Sequence, residues 1–152
     1  MVEEPDQEIH KKEIVGRRAF GKDKDIFSTS DGVRHYKIDV FTDKRSDGLS
    51  VDRLGIGEVL AKRVRYLDPL GVAMGQKRGK VFRGWAAVSV TSIHDLVKST
   101  AADGETNVLH AEIMRGDEFP TTRQKRAFAY ELCDLARKLE FVESPSYEPE
   151  AA

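Results

Sequence analysis

The stretch NVLHAE, residues 107–112, places His110 and Glu112 two positions apart. On a strand, period two puts both side chains on one face, next to each other. An adjacent imidazole and carboxylate can act as an acid–base pair or offer two metal ligands. They can equally line the solvated face of a one-sided sheet. A second group, Ser50, Asp52 and Arg53, follows the turn in DGLSVDR, residues 47–53. Polar side chains carried beside a tight turn on a rigid sheet are common binding groups, although they also serve simply to complete turns. His35, in the Arg34-His35-Tyr36 run, joins His110 and Glu112 on one face if its strand neighbours theirs. The candidate catalytic residues are therefore His110, Glu112 and His35.

The third feature is electrostatic. Residues 62–83 hold Lys62, Arg63, Arg65, Lys77, Arg78, Lys80 and Arg83 against the single carboxylate Asp68. The whole chain has a formal charge of −1, so the rest of it is acidic. In GQKRGKVFR four cations share a glycine-punctuated stretch with Phe82. Such a stretch can hold phosphate groups, with glycines letting backbone amides approach an anion; it can also be a solvated loop. The candidate binding residues are Ser50, Asp52, Arg53, Lys77, Arg78, Lys80 and Arg83.

Several chemistries are excluded. The 152 residues contain no Walker-type GxxxxGK[ST], no GxGxxG, no HExxH and no GxSxG. The lone Cys133 forbids an internal disulfide and a cysteine zinc cage, and is read as a buried apolar residue. No metal and no cofactor is expected. No apolar run approaches the roughly 20 residues of a membrane span. The opening MVEEPDQEIHKK is acidic and lacks the apolar core of a secretory leader, so a cytoplasmic protein is expected.

The elements that must position these groups follow from hydrophobic period. VRHYKIDVF, residues 33–41, alternates and predicts a strand with Tyr36, Ile38 and Val40 inward. Residues 42–48 end in Asp-Gly, a turn signal, and Leu49 and Val51 begin a short returning strand. Ile56, Val59, Leu60, Val64 and Leu67 have helical spacing, and Asp68-Pro69 is expected to stop that helix. Residues 70–80, with Gly71, Gly75 and Gly79, read as a flexible loop. Residues 81–91 are the most apolar stretch and predict a central strand burying Val81, Trp85 and Val88, with Gly84 at a bulge or close backbone approach. A short capped helix over residues 92–98 and a polar loop over residues 99–106 precede a strand over residues 108–114 with Leu109, Ala111 and Ile113 inward. Thr121 or Thr122 then caps a helix whose stripe is Phe128, Leu132, Leu135 and Leu139.

Three of these fragments, DGLSVDR, GWAAVSVTSI and NVLHAEI with the helix after it, resemble a loose group of small bacterial proteins. In that group a Ser/Asp-rich turn follows the first strand and an Asn-x-x-His-Ala motif opens the last. The likeness covers residues 27–139 and implies a bacterial, cytosolic protein of about this size. It brings no assigned activity and no functional residues.

The expected fold is α+β: a small, mostly antiparallel sheet of about four strands. One long C-terminal helix and one or two shorter helices would pack on one face. Residues 1–25 are expected to form a flexible charged arm, residues 26–143 a single domain and residues 144–152 a flexible acidic tail. Without a complete catalytic set, the leading functional expectation is a non-enzymatic accessory module that docks on a protein partner. The alternatives are nucleic-acid or nucleotide binding through the basic 77–83 stretch, and a small hydrolase or transferase on a phosphate-bearing substrate. In the last, His110 is the acid or base and Glu112 its orienting partner. No membrane partner is expected.

Overall fold

A computed structural model describes residues 9–30, 32–42, 48–95, 100–102, 108–114 and 121–148. The chain runs β1 (Ile14–Phe20), α1 (Asp23–Ile26), β2 (Phe27–Ser30), β3 (Val33–Tyr36), a 3₁₀ turn (Ile38–Phe41) and β4 (Gly48–Gly55). It continues with α2 (Gly57–Arg78), β5 (Phe82–Ser89), α3 (Val90–Asp95), β6 (Thr100–Ala102), β7 (His110–Met114), α4 (Thr122–Arg137) and β8 (Val142–Glu143). The fold is α+β. Its main sheet has the order β6-β7-β4-β1-β5-β8, and β2 and β3 form a separate hairpin. Every pairing among the described strands is antiparallel.

Alternation sorts the side chains onto two faces. Val15, Ala19, Leu49, Val51, Ala86, Val88, Ala111 and Ile113 meet Phe128, Leu132 and Ala136 of α4. On the other face Leu54, Phe82 and Trp85 meet Val64 and Leu67 of α2. Helices thus cover both faces, and α2, at 22 residues, is longer than α4 at 16. This corrects the expectation of about four strands with all helices on one side and the longest at the C-terminus.

The largest correction concerns residues 1–25. Residues 1–8 lie outside the described residues, but 14–20 form β1, in the middle of the sheet between β4 and β5, with Val15 and Ala19 buried. Two of the charges that suggested a solvated arm, Arg17 and Arg18, have partners inside the fold. Arg17 donates to three backbone carbonyls and Arg18 to the Asp52 carboxylate.

α2 runs through Pro69 and absorbs residues 70–78 of the expected 70–80 loop. Proline costs one helical hydrogen bond, but here it is exposed, and anchoring on both sides offsets the loss. Leu67 and Asp68 are buried before it, and Gly71 and Gly75 after it. The glycines are packing devices: a Cβ at Gly71 would lie 2.5 Å from the Phe82 ring, and one at Gly75 2.6 Å from the Lys80 carbonyl. The helix stops at Gly79, in the left-handed region at φ 66°, where the Lys80 amide returns to the Gly75 carbonyl at 2.9 Å. That is a Schellman closure, and it needs glycine.

The strand expected over residues 33–41 ends at Tyr36; Val40 and Phe41 are buried from the 3₁₀ turn instead. The returning strand at Leu49 and the strand of residues 108–114 are present as β4 and β7. Gly84 sits at a bulge, at φ 136°, where a Cβ would collide with the Val142 carbonyl at 2.1 Å. Val81 precedes β5 and is 59% exposed, contrary to expectation, whereas Trp85 and Val88 are buried. The C-terminal helix has the expected cap. Thr121 Oγ1 accepts from the Gln124 amide at 3.1 Å, and Gln124 Oε1 accepts from the Thr121 amide at 3.1 Å. Leu132 is fully buried and Leu135 only half-buried. The short helix occupies 90–95, and residues 96–98 lie outside the described residues. So do residues 43–47, in the expected turn, and residues 99 and 103–106, in the expected polar loop. The described part of the expected tail is anchored: Ser144 is buried and its hydroxyl, with that of Ser146, donates to the Asp68 carboxylate.

Candidate anion-binding cleft

β1 and β4 begin as neighbours and then part. Their register runs Ile14↔Gly55, Val15↔Arg53, Gly16↔Asp52, after which Arg17 to Phe20 pair with β5 alone. Arg17 spans the opening. Its Nη1 donates to the Ser50 carbonyl at 2.8 Å, its Nε to the Val40 carbonyl at 3.1 Å and its Nη2 to the Thr42 carbonyl at 3.2 Å. A guanidinium thereby satisfies the Ser50 acceptor at a point where β1 no longer runs alongside β4.

A cleft of about 1000 Å³ lies in this opening. β1 supplies one wall through Arg17, Arg18 and Phe20, and β4 the other through Ser50 and Asp52; His110 comes from β7. The end of α2 contributes Met74 and Arg78, and the turn after it Lys80. Lys37 and Asp39 close the side next to the 3₁₀ turn. Among the described residues five cationic side chains, Arg17, Arg18, Lys37, Arg78 and Lys80, stand against the carboxylates Asp25, Asp39 and Asp52.

Asp52 is committed to the fold. It is 2% exposed; Oδ2 accepts from Arg18 Nε at 2.7 Å and from Trp85 Nε1 at 2.7 Å, and Oδ1 accepts from Arg18 Nη2 at 3.1 Å. Its function is to neutralise and orient Arg18 at the cleft wall. Arg78 and Lys80 are exposed, at the C-terminal end of α2. The negative pole of a helix favours cations at that end.

Of the candidate residues, Ser50, Asp52, His110 and Glu112 share one sheet face, paired Ser50↔Glu112 and Asp52↔His110. His110 lines the cleft, whereas the Glu112 carboxylate lies over Gly48, where a Cβ would sit 2.8 Å from Oε2. His35 is elsewhere: it belongs to the β2–β3 hairpin, and Arg137 Nη1 donates to its Nδ1 at 3.0 Å. Arg53 is buried and paired with Glu13 at 3.0 Å, a carboxylate shared with Arg63. Lys77 is exposed and does not line the cleft. Arg83 is buried, pairs with Asp23 at 2.8 Å and stacks over Tyr147 at 4.1 Å. The basic 77–83 stretch therefore splits, and only Arg78 and Lys80 reach the cleft.

Sequence reasoning missed Arg17, Arg18 and Phe20, because it placed them in an arm. Their signal was present in IVGRRAF, where Val15, Arg17 and Ala19 alternate with Gly16, Arg18 and Phe20. Cys133 is no nucleophile near neutral pH: burial, with the nearby Asp134 charge, pushes its thiol up to about 12. Among the described residues no three His, Cys, Asp or Glu side chains gather as a metal site. Nor is any described helix long and apolar enough to cross a membrane. No protein-family model, no curated protein and no solved structure matches this chain, so its functional reading rests on the cleft itself.

Proposed function

We propose that this protein binds a phosphate-bearing ligand in the cleft between β1 and β4. The observation that carries the reading is the convergence of Arg78 and Lys80, from the end of α2, on the wall that holds Arg17 and Arg18. Cations gathered in a concave site hold phosphate through charge-assisted hydrogen bonds, and the surrounding low-dielectric walls strengthen the field. Arg18 is fixed by Asp52 and Arg17 by three carbonyls, so both are positioned before a ligand arrives. The direct test is titration with inorganic pyrophosphate, read by calorimetry. Wild type should bind, with affinity falling as salt rises. Replacing Arg78 and Lys80 together by Ala should weaken binding at least about tenfold while leaving the melting temperature unchanged. Equal binding by the double variant would remove the cleft from the account.

A second reading, an accessory module docking on a protein, draws on the outward side of α2. There Val59, Tyr66 and Leu70 are exposed, with Lys62 between them in sequence. The two readings use different surfaces and are compatible.

A further inference from the structure

Arg78 does more at the cleft than contribute charge. Its guanidinium lies over the Phe20 ring, 5.0 Å from the centroid, and both residues line the cleft. Phe20 is half-buried and rests against Phe82, with ring centroids 5.5 Å apart. Phe82 in turn meets Trp85 edge to face at 4.9 Å. Trp85 is fully buried and bonded to Asp52. A continuous aromatic column therefore rises from the core to the cleft and ends beneath a planar cation. Among the described residues two other cations lie over rings, Arg34 over Phe27 and Arg83 over Tyr147, but neither pair lines the cleft.

A guanidinium backed by an aromatic ring keeps a second flat face for another π system. Lysine cannot supply such a face, because its ammonium is a point charge. Lys80, two residues on, provides that point charge for an adjacent phosphate. Resting on the phosphate reading above, we propose that the ligand carries a nucleobase next to its phosphate, and that the base stacks on Arg78 over Phe20. The shared chemistry is a base with a neighbouring phosphate, which both a mononucleotide and a single strand of nucleic acid present. Arginine planes and aromatic rings are standard platforms for unpaired bases.

The test uses four probes against the full chain: pyrophosphate, ADP, a ten-residue oligo-dA strand and an abasic strand of the same phosphate count. Affinities are read by calorimetry for the small ligands and by fluorescence anisotropy for the strands. Each base-bearing probe is compared with its base-free counterpart, and an advantage of about tenfold or more is expected for ADP, for oligo-dA or for both. An advantage in the ADP pair alone identifies a mononucleotide, and one confined to oligo-dA identifies a strand. Arg78→Lys keeps the charge and removes the plane. It should abolish the base advantage: within this variant each base-bearing probe should bind no more tightly than its own base-free counterpart, to within about twofold, whatever the shared phosphate affinity becomes. Base-bearing and base-free probes binding alike would overturn the proposal and leave the phosphate reading standing. So would an advantage that survives Arg78→Lys. Failure of all four probes to bind would end both.

Discussion

Trp85 and Arg18 share one oxygen: the indole Nε1 and the guanidinium Nε each donate to Asp52 Oδ2 at 2.7 Å. The three side chains come from β5, β1 and β4, so one carboxylate joins three neighbouring strands on the face that α2 covers. Asp52→Ala should leave the Arg18 charge and the indole N–H without their acceptor. Breaking a buried charged pair on one side costs about 3–5 kcal/mol. Urea denaturation at neutral pH should show a loss of that order. A loss below about 1 kcal/mol would mean that Asp52 serves the ligand rather than the fold.

β1 gives a second prediction. Deleting residues 9–20 removes a strand with a neighbour on each side, so the sheet loses two interfaces at once. Thermal unfolding followed by circular dichroism should show no cooperative transition. A melting curve close to that of the full chain would mean that β1 contributes little to the fold.

The treatment of charge explains how much could be read in the sequence. β4, β7 and α4 were visible because apolar side chains recur at period two or at helical spacing, and β5 because it is the most apolar stretch, buried almost throughout. β1 was hidden by Arg17 and Arg18, which look like solvent residues until their acceptors on β4 and beside the 3₁₀ turn are known. The second half of α2 was hidden because Gly71 and Gly75 are normal breakers, and only the approach of Phe82 makes small residues necessary there. For the site, the shared face of Ser50, Asp52, His110 and Glu112 was legible from alternation once β4 and β7 pair. The contribution of Arg78 and Lys80 was legible as a charge run. Their meeting was not, because it depends on where a 22-residue helix ends relative to the sheet.

Alkaline pH provides a third prediction. Cys133 and Tyr36 have ordinary values of 9.0 and 10.0, and burial pushes both up to about 12. Above pH 9 the unfolded chain therefore binds fewer protons than the folded one, and stability falls as pH rises. The contribution is full below pH 9 and is lost progressively toward about 12. Urea midpoints measured from pH 8 to 11 should decline, and Cys133→Ala should move the onset of the decline from about 9 toward about 10. A midpoint constant over that range would contradict the burial of both groups.

The ligand is proposed to sit in the opening between β1 and β4. Amide chemical-shift mapping of the full chain during titration with pyrophosphate tests this placement most directly. Saturable shifts are expected in Gly16 to Phe20, in Ser50 to Asp52, and at Arg78, Lys80 and His110, which come from four separate stretches of sequence. The amides of β2 and β3, which carry His35, should stay in place. Shifts concentrated at His35 and Arg137, or no saturable shift at any amide, would contradict it.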